Sequence, residues 1–263
     1  MATGAARRVG GGSRDLHRSP ERRPRSGAPW RWLALGIALL ALVVAVLWFS
    51  RSGSAPDFRR VANLSAPGNL VVFFGDSITQ GYGVRPDESF PALVAHALDV
   101  PFVNAGVPGD TMAAGLARLE RDVLAHRPRL AVVEFGGNDF LRRVPVEDTL
   151  RSLETIVGTL VHEGLMVAIL HVNVGMGGDL YLKGYRAVAD RHGAVLIPDI
   201  LRGVLGNPDL KSDAIHPNAK GHRLIADRVI TTLRPLLKAA GRRRGTSGQP
   251  SSAFPLPGFR SVG

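Results

Sequence analysis

The chain contains no cysteine. This absence excludes disulfide bonds, metal sites built from thiolates, a cysteine nucleophile and lipid attachment through a cysteine side chain. The absence is compatible with an oxidising compartment, and it does not by itself assign the protein to one.

The central part of the chain lacks the basic excess that the net charge of +11 suggests. Residues 1–60 carry 11 basic and 3 acidic side chains, and residues 239–263 carry 4 arginines and no acid. Residues 61–238 hold 18 basic and 19 acidic side chains. Binding to nucleic acid needs a basic face on the folded domain, so we predict no nucleic-acid partner. The central part is long enough for one domain with a sizeable core.

Charged residues are also absent from one long apolar run, residues 33–49. As a helix this run would span about 25 Å, near the short end of what crosses a hydrocarbon core. Trp30 and Trp32 flank one end and Trp48 the other, where interfacial indoles are expected. We therefore predict a transmembrane helix over residues 32–49.

Arginines set the expected orientation of this helix, because eight precede it and only three lie between its end and residue 60. The bias predicts a single-pass protein with a cytoplasmic N-terminus and a periplasmic or otherwise extracytoplasmic folded domain. A cleaved signal peptide is the alternative, but its apolar region is usually shorter. Ala55 would end a small-residue cleavage site, and Pro56 after the cut should hinder cleavage.

The remaining segments divide by composition. We predict a disordered basic cytoplasmic segment over residues 1–31 and a polar linker over residues 50–66. A single folded domain is expected over residues 67–238. Residues 239–263 are rich in Gly, Ser, Pro and Arg, and we predict a disordered basic tail there.

Short apolar runs alternate with helical patterns inside the predicted domain. The predicted strands are residues 70–74, 102–104, 131–135, 167–172 and 195–197. The predicted helices are residues 90–98, 111–124, 146–163, 180–192 and 219–237. This alternation predicts a three-layer α/β/α sandwich around a five-stranded parallel sheet. In such sheets, sites form beyond the carboxyl ends of the strands.

Four polar or glycine-rich blocks follow the predicted strands at that edge. They are Gly75-Asp76-Ser77, residues 104–111, Gly136-Gly137-Asn138-Asp139, and Asp213-Ala214-Ile215-His216-Pro217. A serine hydroxyl is a poor nucleophile near neutral pH and needs a base within hydrogen-bond reach. The late Asp-x-x-His supplies such a base together with a carboxylate that can orient it. The Gly-x-Ser-x-Gly elbow is missing, which argues against the α/β-hydrolase fold.

Together the four blocks resemble those of the SGNH (GDSL-type) hydrolases over about residues 70–237. The resemblance is closest to the branch that contains bacterial thioesterase I, lysophospholipase L1 and related arylesterases. It implies the flavodoxin-like sandwich of that family and a serine ester hydrolase that uses neither a cofactor nor a metal.

The resemblance also implies a role for each matching residue. Ser77 matches the nucleophile, His216 the base and Asp213 the carboxylate that orients the base. The backbone N–H groups of Ser77 and Gly109 and the side-chain amide of Asn138 match the donors of an oxyanion hole. Glu134 is unusual within a buried strand, and we expect its side chain to bond the loop after the first strand.

We therefore predict a membrane-anchored serine esterase that hydrolyses small-molecule esters, thioesters or lipids, with no prediction of oligomeric state. An envelope glycan O-acetylesterase or acyltransferase with the same triad is an alternative. A catalytically inactive module tethered to the membrane is an alternative of another class. Metal-dependent phosphoester hydrolysis would need several clustered ligands, and the four blocks offer a single histidine.

Overall fold

The computed structural model describes residues 58–173 and 180–246, together with the isolated positions Ile37 and Leu39. The chain divides into two compact units, Met1–Ala55 and Pro56–Gly263. In the first unit only Ile37 and Leu39 are described, and both are helical. The rest of the predicted transmembrane segment, residues 32–49, lies outside the described residues. Among the helices that the structure does describe, none is both long and apolar enough to cross a bilayer.

Five parallel strands form one sheet at the centre of the second unit. They are β1 (Val71–Gly75), β2 (Phe102–Gly106), β3 (Leu130–Glu134), β4 (Met166–Leu170) and β5 (Val195–Ile197). The spatial order is β2-β1-β3-β4-β5, and every neighbouring pair is parallel. The predicted five-stranded parallel sheet is confirmed. The chain reverses its direction of travel across the sheet at β1, which places a natural crevice between β1 and β3.

Eight α-helices connect or follow these strands within the described residues. They are α1 (Ser77–Gln80), α2 (Phe90–Leu98), α3 (Met112–Ala117), α4 (Leu119–Asp122), α5 (Gly137–Leu141), α6 (Val146–His162), α7 (Leu180–His192) and α8 (Ala219–Thr246). Single 3₁₀ turns lie at Phe58–Arg60, Pro86–Glu88, Leu124–His126 and Pro208–Leu210. The helix predicted over residues 111–124 is interrupted at Arg118, whose side chain turns into the protein.

Alternate residues of the strands feed two separate apolar clusters, one on each face of the sheet. Phe73 of β1 packs with α2 and α8 on one face, and Phe74 packs with α3, α4, α6 and α7 on the other. Strands buried on both faces are apolar throughout, which is why β1, β3 and β4 appear in the sequence as continuous apolar runs. The three layers fix the ends of β1, β2 and β3 side by side at one rim.

The predicted start of the domain at residue 67 is too late. Phe58 and Val61 pack against the core, and Leu64 is buried in it. The Asn63 side-chain amide donates hydrogen bonds to two backbone carbonyls at the end of α6 and just after it, at 2.7 and 3.0 Å. Residues 58–66 therefore belong to the folded domain, because their apolar and amide side chains are used by it.

The predicted disordered tail from residue 239 also begins too early. Helix α8 continues to Thr246, and Ala240 is fully buried in the core cluster that contains α2. Alanine is the best helix former, and burial of Ala240 adds a tertiary contact to that propensity. Residues 239–246 therefore belong to α8, and residues 247–263 lie outside the described part of the chain.

Gly106 provides a test of how tightly the strand ends approach α1. A Cβ atom on Gly106 would lie 2.2 Å from the backbone nitrogen of Gln80 and 2.8 Å from the carbonyl oxygen of Asp76. We expect Gly106→Ala to lower the free energy of unfolding by about 2 kcal/mol or more, because backbone atoms cannot move away cheaply. Chemical denaturation measures this change.

Gly206→Ala is the matched control, because a Cβ at Gly206 meets no atom within 4 Å. Its free energy of unfolding should stay within about 0.5 kcal/mol of the parent. Equal effects of the two substitutions would contradict the close packing of β2 against α1.

Candidate functional site

Ser77 is the first residue of α1 and follows the end of β1 by two positions. The Asp76 side chain caps this short helix by accepting a hydrogen bond of 2.9 Å from the Ile78 N–H. At Gly75 a Cβ would lie 2.1 Å from Thr79 Oγ1 and 2.5 Å from the Glu134 carbonyl oxygen. Only glycine therefore allows the end of β1 to pack this closely against α1 and β3.

His216 joins Ser77 to Asp213. Its Nε2 lies 3.0 Å from Ser77 Oγ, and its Nδ1 lies 2.7 Å from Asp213 Oδ2. An ionised carboxylate can only accept, so Nδ1–H donates to Asp213 and the bare Nε2 accepts from the serine hydroxyl. This is the tautomer that a general base for Ser77 requires.

Asp213 is held in its charged form. Its Oδ1 accepts hydrogen bonds from the backbone N–H groups of His216, at 2.8 Å, and Ile215, at 2.9 Å. These bonds, led by the one from the His216 backbone and joined by the imidazole, lower the pKa of Asp213 to about 2. The carboxylate therefore stays ionised at neutral and mildly acidic pH.

The loop that carries His216 is shaped by Asn218, a residue that sequence reasoning missed. Its side-chain oxygen accepts from the N–H groups of Lys220 and Gly221 and caps α8, while its amide donates to the carbonyls of Asp209 and Lys211. Asparagine at a helix start was the available signal. The centre of the Tyr82 ring lies 4.6 Å from the centre of the His216 ring.

Two backbone N–H groups at the strand-end rim have no acceptor among the described residues. Within the described residues, the N–H groups of Ser77 and Gly109 donate no hydrogen bond. Gly109 has a φ of +84°, a conformation that favours glycine. The residues matched by the resemblance to the oxyanion donors are thus brought to the same strand-end rim as Ser77.

The Asn138 amide lies at this rim with both hydrogens engaged. Its nitrogen donates to Asp76 Oδ2 and to the Asp110 carbonyl, each at 3.0 Å. Asn138 therefore bridges the nucleophile turn and the loop that carries Gly109. A substrate oxygen could receive one of these hydrogens only by competing with the acceptor that holds it now.

Arg118 fastens the same loop to the sheet, and sequence reasoning missed it. The guanidinium donates to Asp110 Oδ2 at 2.6 Å and to the carbonyls of Ala105 and Gly75, both at 2.9 Å. It also lies 4.5 Å from the centre of the Phe74 ring. A buried arginine with this many acceptors fixes the spacing between β1, β2 and the Gly109 loop.

Two further acids support the rim from behind. Asp139 accepts hydrogen bonds from the Met112 N–H, at 2.9 Å, and the Thr149 hydroxyl, at 3.0 Å. Glu134 Oε2 accepts from the hydroxyl of Thr79 in α1 at 2.7 Å, so the expected bond from Glu134 to the segment after β1 is confirmed. Among the side chains that the structure describes, no group of three or more His, Cys, Asp or Glu is placed to hold a metal ion.

The chain is similar to known proteins that are named as lipases, esterases or thioesterases. The model of the GDSL-like lipase/acylhydrolase family matches residues 73–224. An arylesterase of Vibrio mimicus is 27% identical over 206 residues, which cover 74% of this chain and 98% of the arylesterase. The thioesterase 1/protease 1/lysophospholipase L1 of Escherichia coli strain K12 is 33% identical over 181 residues, 66% of this chain and 87% of that protein. The crystal structure of TesA aligns with a TM-score of 0.61 at 32% identity, covering 65% of this chain and 100% of that one.

A serine hydroxyl bonded to a neutral imidazole should react with organophosphorus electrophiles. We expect one equivalent of a fluorophosphonate to attach at Ser77, because His216 removes the hydroxyl proton as the new bond forms. Intact mass and peptide mapping measure the adduct. His216→Asn should abolish the labelling.

His192→Asn is the matched control, because His192 Nε2 also contacts a carboxylate, Glu154, at 2.6 Å, but bonds no serine within the described part of the chain. This variant should label as fast as the parent chain. Labelling at another serine, or equal rates in the His216 variant and the parent, would contradict the contact between His216 and Ser77.

Proposed function

We propose, from the premise that the chain belongs to the GDSL-like lipase/acylhydrolase family of ester hydrolases, that Ser77, His216 and Asp213 form its catalytic triad. The observation that carries this proposal is the unbroken chain of hydrogen bonds from Asp213 through His216 to Ser77. The substrate class is a carboxylic ester or thioester. No cofactor enters the reaction.

The chemistry proceeds in two halves. Ser77 Oγ attacks the carbonyl carbon while its proton passes to His216 Nε2, and the imidazolium is stabilised by Asp213. The tetrahedral intermediate collapses, the bond to the leaving oxygen or sulfur breaks, and His216 returns the proton to the departing alcohol or thiol. Water then attacks the acyl-enzyme carbonyl carbon while its proton passes to His216 Nε2. The second tetrahedral intermediate collapses, the bond to Ser77 Oγ breaks, and His216 returns the proton to Oγ as the carboxylic acid leaves.

The negative charge that develops on the carbonyl oxygen needs fixed donors. We assign this role to the N–H groups of Ser77 and Gly109, which have no acceptor among the described residues, and to Asn138. The hydrogen that Asn138 now donates to the Asp110 carbonyl is the one that a charged oxygen would attract, because an oxyanion is a stronger acceptor than a neutral carbonyl. Donation from Asn138 is thus strongest in the transition state.

Substitutions at the triad and the oxyanion donors test this proposal. We expect Ser77→Ala to lower kcat for a short p-nitrophenyl ester by at least about 10³-fold, because the nucleophile is lost. Asn138→Ala should lower kcat by about 10²–10³-fold with a smaller change in KM, because its donor acts mainly on the transition state. Steady-state kinetics on correctly folded variants measure both effects.

Ser152→Ala is the control, because the Ser152 hydroxyl bonds a carbonyl within α6, away from the site. It should leave both constants unchanged. Full activity in the Ser77 variant would overturn the nucleophile assignment.

We further propose that residues 32–49 anchor the enzyme in a membrane, with the N-terminus in the cytoplasm and the esterase domain outside. The support is the uncharged run of residues 33–49, its flanking tryptophans and the excess of arginine before it.

Cell fractionation and protease protection test the anchor. The full chain should sediment with membranes after a salt wash, and its domain should be cleaved by protease added outside the cytoplasmic membrane. A chain that begins at Pro56 should move to the soluble fraction and keep its esterase activity. A soluble full chain, or a domain protected from external protease, would contradict the anchor or its orientation.

A further inference from the structure

Two buried carboxyl groups behind Ser77 have no part in the proposed proton transfers. Asp76 is 2% exposed and Glu134 is fully buried. They lie at the ends of neighbouring strands, because Asp76 directly follows β1, whose last residue Gly75 pairs with Glu134 at the end of β3. The two carboxyl groups are close enough to hydrogen-bond and to interact electrostatically. Two carboxylates this close in an apolar interior cannot both be ionised at moderate cost.

The hydrogen bonds around the pair favour a proton on Glu134 over one on Asp76. Asp76 accepts from two N–H donors, those of Ile78 and Asn138, at 2.9 and 3.0 Å. Glu134 Oε2 accepts a hydrogen bond from the Thr79 hydroxyl. Among the described residues, Glu134 Oε1 has no hydrogen-bond donor, and an ionised Asp76 cannot supply one. A proton on Oε1 removes this deficit, because Glu134 then becomes a donor toward Asp76.

The electrostatic surroundings agree with this distribution. Burial raises the pKa of Asp76 to about 6, with the nearby His216 acting in the opposite direction. Burial, and after it the charge of Asp76, raises the pKa of Glu134 well above its ordinary value. Burial also raises the pKa of Tyr185, on α7, well above its ordinary value, so this phenol stays neutral beside the pair. Both effects favour a single negative charge on the pair, carried by Asp76, with the proton on Glu134.

We propose that Asp76 and Glu134 share a single proton, held on Glu134, and that the neutral Glu134 acid is a positioning residue for Asn138. It donates to Asp76 and keeps that carboxylate turned toward the Asn138 amide. With one amide hydrogen fixed on Asp76, the plane of the amide is fixed, and the second hydrogen is aimed at the rim. This positioning role rests on the proposed function of Asn138, whereas the shared proton does not.

Infrared spectroscopy of the full chain tests the shared proton directly. At pH 8 we expect a carbonyl stretching band of a protonated, buried carboxylic acid. The band should shift when all glutamates carry ¹³C at the side-chain carboxyl and should stay in place when only the aspartates do. Absence of the band, or a shift with labelled aspartate alone, would overturn the proposal.

Two variants assign the band to its residue. Glu134→Gln should remove it, and Asp139→Asn should leave it, because both oxygens of Asp139 accept hydrogen bonds from the Met112 N–H and the Thr149 hydroxyl. A band that survives Glu134→Gln would overturn the proposal. The isotope experiment needs no substitution, so it decides the matter even when a variant does not fold.

Kinetics test the positioning role. Glu134→Ala should lower kcat at pH 8 by about tenfold or more, up to the 10²–10³-fold typical of a lost oxyanion donor, with a smaller change in KM. Glu134→Gln should rescue most of this loss, because an amide accepts from Thr79 with its oxygen and donates to Asp76 with its nitrogen, as the neutral acid does.

The two kinds of failure can be told apart. If Glu134→Gln is as slow as Glu134→Ala while the infrared band is present, the shared proton stands and its positioning role is overturned. If Ser77→Ala keeps full activity, the proposed function fails, and the infrared result still decides the state of the pair.

Discussion

The hydrogen bond between His216 Nε2 and Ser77 Oγ joins two residues that lie 139 positions apart in the chain. Several elements that are distant in sequence hold these two atoms 3.0 Å apart. Ser77 is placed by the end of β1, where Gly75 and Gly106 leave no room for a Cβ between the strands and α1. His216 is placed by the loop that Asn218 ties to the start of α8. A parallel sheet makes this meeting possible, because all of its strands deliver their following loops to one rim.

The acidic side chains near Ser77 differ in how their surroundings treat a negative charge. Asp213, partly exposed, is kept ionised by backbone N–H groups and stabilises a positive imidazole. Deep in the sheet the requirement is the opposite, since a second buried negative charge beside Asp76 would be costly and would leave Glu134 Oε1 without a donor among the described residues. Arg118 neutralises acids on a third side, where it binds Asp110 and reaches the strand ends. Each acid near Ser77 thus has partners suited to its protonation state.

The sheet and the principal site residues could be predicted because their signals are local or repeated. Continuous apolar runs indicated the buried strands, and short polar blocks after them marked the rim. The features that were predicted wrongly or missed depend on tertiary contacts. Arg118 interrupts a periodic helical pattern because its guanidinium finds buried acceptors that belong to other elements. Residues 58–66 and 239–246 look like a linker and a tail by composition, yet Leu64 and Ala240 are buried in the core. The sequence likewise could not predict that the Asn138 amide donates both of its hydrogens to Asp76 and Asp110.

The central claim is that Ser77 and His216 act as one unit in ester hydrolysis. A double-mutant cycle tests it most directly, with kcat/KM measured for the parent chain, Ser77→Ala, His216→Ala and the double variant. Residues that share one step are strongly non-additive, so the double variant should be no slower than about the slower single variant. Losses that simply add in free energy across the two positions would contradict the account, because they would mean that the hydroxyl and the imidazole act independently.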